Sequence, residues 1–197
     1  MAIYLLVVVL FGAGLSVVAV GWYLRRMELT LVAAREDCER AWSNVEVLLQ
    51  RRHDEVGNLV DIAREYMSME RDVLEDVIEA RNSAIEANTP AEQAEAEVNV
   101  RESVAEFYTI SEEYPELHTD QKFEDVRDSL QKIEQRLENR REYYNEAVMR
   151  YNAHLERSPE RYVAARRGYE PREPFEASEQ ATGDFSIRER LDVVEDA

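Results

Sequence analysis

The longest regular pattern of apolar positions lies between Thr119 and Leu155. This stretch contains no glycine and no proline, and its apolar side chains recur in steps of three, four and seven: Phe123, Val126, Leu130, Ile133, Leu137, Tyr144, Val148, Tyr151 and Leu155. That spacing places them on one face of a helix. A single helix cannot bury such a face alone, so the rest of the soluble chain must supply its partners.

One apolar stripe of helical period precedes a short polar interruption, and a second stripe follows it. The first runs through residues 29–50 and the second through 56–87. Between them stand the polar residues 51–55, and Gly57 follows at once. We interpret this interruption as a bend that separates two helices. The alternative is a single continuous helix over 29–87.

Capping residues mark where the next helix begins. Thr89 is predicted as the N-cap, Pro90 as the first helical residue and Glu92 as the capping-box partner. This helix is predicted to stop at Pro115, and Thr119 with Asp120 opens the longest one. Because no stretch alternates in the manner of a strand, the predicted class is all-α, an antiparallel up-down four-helix bundle with long helices behind an N-terminal transmembrane helix.

Residues 2–24 carry no charge and predict a single-pass membrane anchor. As a helix they extend about 34 Å, enough for a hydrocarbon core of about 30 Å. Aromatic residues stand at the two ends of the span, Tyr4 at one and Trp22 with Tyr23 at the other. A cleaved signal peptide is the alternative, but the stretch has no basic n-region and is too long.

Basic residues after the span predict its orientation. Arg25 and Arg26 follow the apolar stretch directly, which places the large C-terminal part in the cytoplasm by the positive-inside rule. The predicted division is therefore an anchor with juxtamembrane arginines over 1–27, a helical domain over 28–176, and a disordered acidic tail over 177–197. Homo-oligomers, packed through small residues of the anchor, remain possible.

The balance of acidic and basic residues bears on the salt concentration in which the protein works and on the class of partner that it binds. The net charge is −18, and only two of the 24 basic residues are lysines. This composition is typical of a protein in concentrated salt and predicts a halophilic archaeon as its source, because screening relieves self-repulsion. The alternative is an acidic interaction surface in ordinary salt. Nucleic-acid binding is disfavoured, since phosphates would be repelled.

No motif for catalysis, a cofactor or a metal emerges from the sequence. Cys38 is the only cysteine and is predicted to be a buried small apolar residue. His53, His118 and His154 are predicted at the surface, and none has a glutamate three residues before it, as a di-iron bundle would require. We predict no enzyme, no cofactor and no metal.

A Tyr-Asn pair occurs twice at a spacing of seven. Tyr144-Asn145 and Tyr151-Asn152 occupy equivalent positions on one helix. One interpretation is a polar patch that docks a partner helix or peptide. The other, which we favour, is two packing layers with side-chain hydrogen bonds.

Four segments together resemble the LemA family of membrane-anchored helical proteins: 34–60, 65–84, 112–123 and 140–152. The order and spacing of these segments make the resemblance specific. The chain departs from the family pattern at Gly57, where proline is usual, and in its C-terminal apolar motif. The resemblance implies a helical bundle behind a membrane anchor and brings no established catalytic residue.

The predicted function is a noncatalytic membrane-anchored scaffold or adaptor that binds another protein near the membrane. One alternative, from family association, is a regulator of a membrane protease or of envelope stress signalling. A metal-dependent enzyme is a third hypothesis.

Overall fold

The computed structural model describes residues 1–176, so the predicted disordered tail lies outside the described residues. Within that range the chain is helical and contains no strand, which confirms the all-α class. The helices are α1 (Ala2–Tyr66), α2 (Arg71–Glu86), α3 (Pro90–Ser111), α4 (Pro115–His118), α5 (Gln121–Glu156) and α6 (Glu160–Arg167).

The chain divides into two compact units. The first consists of Met1–Ala41 and Glu146–Arg172, and the second of Trp42–Asn145 and Glu173–Ala197, described up to residue 176. Helices α1 and α5 contribute residues to both. In the first unit, α1 is long and apolar enough at its N-terminal end to span a membrane. The buried stripe of α1 begins beyond that stretch, at Met27 and Leu31.

The predicted bend within residues 51–58 is wrong, because α1 continues through them without a break. The buried positions of the helix keep their phase: Leu49 is followed by Arg52 and His53 and then by Val56, all buried. These steps of three and four are the period of one helix face. The polar residues therefore fill the stripe instead of ending it.

A buried ion cluster, defined here as Arg52, His53 and Glu97, explains how polar residues are held inside the second unit. His53 Nε2 lies 2.6 Å from Glu97 Oε1, and Arg52 Nη1 lies 3.0 Å from Glu97 Oε2. The Arg52 contact is an ion pair without hydrogen-bond alignment. Arg52 Nη1 also lies 3.1 Å from the half-exposed carboxylate of Glu134. The prediction of a surface position is thus wrong for His53.

Gly57 is helical and lies under the side chain of Arg81. A Cβ built at Gly57 would lie 3.7 Å from the guanidinium atoms of Arg81, which is ordinary contact distance. Arg81 Nε donates to the carbonyl oxygen of His53 at 2.6 Å. Neither the space nor the backbone conformation requires glycine here.

Gly57→Ala is therefore expected to stabilise the protein by about 0.5–1 kcal/mol, because alanine has the higher helix propensity. Thermal unfolding of the full chain followed by circular dichroism measures the effect. Gly168→Ala is the matched control. Gly168 has a φ of 69°, so a side chain at this position should destabilise the folded protein. A loss of stability at position 57 would contradict the continuous helix.

The break after α1 occurs at residues 67–70, further along than predicted. Met67 is fully buried there. Two phenol hydroxyls hold the connection: Tyr66 donates to Asp120 at 2.8 Å and Tyr114 donates to Glu70 at 2.9 Å. The hydrogen bond from Tyr66 is the main cause that lowers the pKa of Asp120.

The capping prediction for α3 is confirmed. Thr89 Oγ1 accepts from the backbone N–H of Glu92, and the Glu92 carboxylate accepts from the backbone N–H of Thr89, each at 3.2 Å. Pro115 does not end α3, which stops at Ser111; it begins the short helix α4 instead, as the first residue of a helix often does.

Aromatic side chains form part of the core of the second unit. Phe107 and Phe123 are fully buried, and the ring of Tyr108 contacts both at centroid distances of 5.4 and 6.2 Å. The Tyr108 hydroxyl is buried and has no hydrogen-bond partner among residues 1–176. Burial raises the pKa of Tyr108 to about 12.

Stability is expected to fall at alkaline pH because of Tyr108. The pKa of Tyr108 is higher in the folded protein than its unfolded value of about 10, so the folded state keeps this contribution to stability in full below about pH 10. The contribution is lost between about pH 10 and 12, because there the tyrosine ionises more readily in the unfolded chain than in the folded one. Tyr108→Phe should therefore lose less stability than the wild type between pH 9 and 11, in urea unfolding of the full chain. Tyr143→Phe, at an exposed tyrosine, is the control. Equal pH dependence of Tyr108→Phe and wild type would contradict the assignment.

Candidate functional site

The two Tyr-Asn pairs of α5 lie against the chain that follows α6. Tyr144 and Tyr151 are among the largest fully buried side chains of the protein. Each unit contains one pair and one part of the C-terminal strap, which we define as residues 170–176. The strap has neither helical nor strand structure.

In the first unit, Tyr151 and Asn152 bind the backbone of the strap. The Tyr151 hydroxyl donates to the carbonyl oxygen of Glu170 at 3.1 Å. Asn152 Nδ2 donates to the carbonyl oxygen of Arg172 at 2.9 Å, and the backbone N–H of Arg172 donates to Asn152 Oδ1 at 3.0 Å. One amide side chain thus satisfies both polar groups of one residue.

In the second unit, Tyr144 and Asn145 make the same set of bonds. The Tyr144 hydroxyl donates to the carbonyl oxygen of Glu173 at 2.9 Å. The backbone N–H of Phe175 donates to Asn145 Oδ1 at 2.8 Å, and Asn145 Nδ2 lies 3.4 Å from the Phe175 carbonyl oxygen. Trp42 packs against the rings of Tyr144 and Phe175, at centroid distances of 5.0 and 5.7 Å.

The strap partners of the two pairs are three residues apart in the sequence: Glu170 and Glu173 for the tyrosines, and Arg172 and Phe175 for the asparagines. Glu170 and Glu173 each precede a proline, which keeps such residues extended. The prolines themselves have no N–H to satisfy. Each Tyr-Asn pair thus binds backbone groups of a proline-containing segment of the chain itself.

The side chains of Tyr151 and Cys38 are both buried in the first unit. Burial raises the pKa of the Tyr151 phenol, which keeps it protonated as a donor. Cys38, in the same unit, is fully buried, and burial is the main cause that raises the pKa of its thiol. The prediction of a buried, unreactive Cys38 is confirmed as to its burial.

The predicted anchor residues all lie on the exposed surface of α1. Tyr4, Trp22 and Tyr23 are more than half exposed, and the guanidinium of Arg26 lies 5.6 Å from the centroid of the Trp22 ring. Arg25 is exposed as well. Their role at a membrane interface stays a prediction.

Sequence reasoning missed the C-terminal strap as the partner of the Tyr-Asn pairs and missed the buried ion cluster. The prolines at 171 and 174, spaced by three, were the available signal for the strap. In the part of the chain that the structure describes, no group of three or more His, Cys, Asp or Glu side chains is arranged to hold a metal ion.

Comparison with known proteins places the chain in a family. A family model described as the LemA family matches residues 41–188. The magnetosome proteins MamQ 2 and MamQ 1 of Paramagnetospirillum magneticum are each 26% identical to the chain, and the alignment covers 88% of this chain and 72% of each relative. The magnetosome protein MamQ of Magnetospirillum gryphiswaldense is 24% identical, over 79% of this chain and 66% of the relative. The chain belongs to the LemA family.

Proposed function

We propose that this protein is a noncatalytic scaffold or adaptor, anchored in the cell membrane by residues 2–24 and binding another protein through its helical domain. The observation that carries the proposal is α1, since one unbroken helix contains both the apolar stretch and residues of the buried core. A partner bound to such a domain is held close to the membrane. We further propose that the long helices form an up-down four-helix bundle over residues 28–176.

Residue chemistry supports a binding role over a catalytic one. Inside the second unit, Arg52 and His53 both contact Glu97, so these polar side chains are engaged with one another. The strap is bound through backbone hydrogen bonds, which is the chemistry of an interaction module. The family and the relatives are described by names that do not denote an enzyme.

In-cell crosslinking with mass spectrometry tests the proposal. The full chain and a variant that lacks residues 1–27 are compared, each with an affinity tag at the C-terminus. The full chain should fractionate with membranes and crosslink reproducibly to one or a few membrane-associated proteins, and the shortened variant should lose both. A full chain that stays soluble, or that crosslinks to the same proteins as an unrelated membrane-anchored control, would contradict the proposal.

The orientation of the anchor has its own test. We propose that the C-terminal domain faces the cytoplasm. A cysteine introduced at the exposed position 139 should resist a membrane-impermeant maleimide in intact cells and react after lysis. Cys38 gives little background because it is buried. Labelling in intact cells would place the domain outside.

We also propose that the acidic surface suits concentrated salt. With a net charge of −18, self-repulsion should weaken as the Debye length falls from about 10 Å at 0.1 M to about 3 Å at 1 M salt. The midpoint of thermal unfolding of the full chain should therefore rise by several degrees from 0.1 M to 1 M KCl. A midpoint that is unchanged or lower in 1 M KCl would favour an acidic interaction surface in ordinary salt.

A further inference from the structure

A groove of about 860 Å³ lies in the first unit between α6 and the part of α1 where the apolar stretch ends. Its floor on the α1 side includes Leu24 and Arg25. Tyr162, Arg166 and Arg167 line it from α6. Ala164 is buried and fixes α6 on the unit, so these longer side chains surround an open space.

The groove is basic in a strongly acidic protein. Residues 157–167 contain four arginines and one glutamate, whereas the whole chain has 42 acidic and 24 basic residues. Glu28 and Arg167 also line the groove and form an ion pair with each other. Arg25 and Arg166 are exposed, and neither has an ion-pair partner within residues 1–176. Two uncompensated cations therefore face the same space.

The position of the groove matches the edge of a membrane. Gly21 and Leu24, which line it, belong to the charge-free stretch, and the first charged residue after that stretch lines it too. Tyr162 is 64% exposed, and Trp22 on α1 is similarly exposed. Exposed aromatic rings at the end of an apolar span are typical of the level of lipid headgroups. A ligand that fits must be anionic and must reach the groove from this level.

We propose that this groove binds the phosphate headgroup of an anionic phospholipid, with Arg25 and Arg166 as the groups that contact the phosphate. Basic pockets beside a membrane span bind anionic headgroups in this way. A zwitterionic headgroup carries its own cation and gains less from two arginines. The lipid holds α6 at the membrane surface. The inference rests on the proposed membrane anchor.

Native mass spectrometry of the full chain released from nanodiscs tests the proposal. The nanodiscs contain phosphatidylcholine with about one tenth phosphatidylglycerol, and the measured quantity is the ratio of the two lipids retained. Each arginine near an anionic surface favours binding by about fivefold. The wild type should therefore retain phosphatidylglycerol preferentially, and Arg25→Gln with Arg166→Gln should lose on the order of 25-fold of that preference.

Matched variants separate the groove from general charge. Arg136→Gln with Arg141→Gln removes two exposed arginines elsewhere and should leave the preference unchanged. The inference is overturned if the wild type shows no preference, if both double variants lose it equally, or if inorganic phosphate at millimolar concentration displaces the lipid, which would indicate a site for free phosphate. A chain that fails to enter nanodiscs would instead contradict the proposed membrane anchor.

Discussion

Glu97→Ala is expected to lower the free energy of unfolding by about 3–5 kcal/mol, because it leaves a buried cation without its main counter-charge. Glu97 is 3% exposed, and its two oxygens face Arg52 and His53. After the substitution Arg52 keeps, among residues 1–176, only Glu134 as an ion-pair partner, and the side chain of Glu134 is 45% exposed and screened by water. Thermal and urea unfolding of the full chain in detergent micelles measure the loss.

Two further variants show whether the loss comes from the buried ion cluster. Glu102→Ala removes an exposed carboxylate of the same helix and should change stability by less than about 0.5 kcal/mol. Arg52→Met combined with Glu97→Leu should recover part of the stability, because the buried charges of Arg52 and Glu97 are removed together, while His53 Nε2 still loses its partner. If Glu97→Ala destabilises no more than Glu102→Ala, the cluster does not hold the core.

Asn145→Ala combined with Asn152→Ala is expected to release the C-terminal strap and to cost about 2–4 kcal/mol. Each asparagine satisfies the N–H and the carbonyl of one strap residue, and a hydrogen bond contributes about 0.5–1.5 kcal/mol. Trypsin should cleave after Arg172 much faster in the double variant than in the wild type, as followed by mass spectrometry. Thermal unfolding gives the accompanying stability change.

The control for the strap is Asn139→Ala on the same helix. Asn139 is exposed, and its side chain donates only to the carbonyl oxygen of Gln135, so its loss should alter neither cleavage at Arg172 nor the unfolding midpoint measurably. Cleavage at Arg172 that is equally fast in wild type and double variant would show that the asparagines do not retain the strap. The docking interpretation of the Tyr-Asn repeat would then regain support.

The interaction interpretation and the packing interpretation of the Tyr-Asn repeat involve the same side chains in the structure. The same side chains that could dock an extended peptide bind one supplied by the chain itself. These bonds go to backbone groups of the strap, so they do not depend on the side chains of the bound residues. We regard a packing role for Tyr144, Asn145, Tyr151 and Asn152 as the better supported proposal.

Local features of the sequence were sufficient to predict the helical class and several helix ends. Steps of three and four over α5, and the capping box of Thr89 with Glu92, act within a few residues. The uncharged stretch 2–24 likewise needs no tertiary contact to be apolar and long enough to cross a membrane. Each of these features depends only on residues that are neighbours in the sequence.

Only the tertiary structure decided whether the chain bends within residues 51–58 and what the Tyr-Asn pairs contact. Polar residues usually leave a core, so the polar run that contains Arg52 and His53 favoured a turn, but in the fold both side chains contact Glu97, more than 40 residues away. Asn152 likewise finds its partner 20 residues further along the chain. Such contacts depend on how distant segments pack. A buried charge is stabilised only after the segment that carries its counter-charge has packed against it.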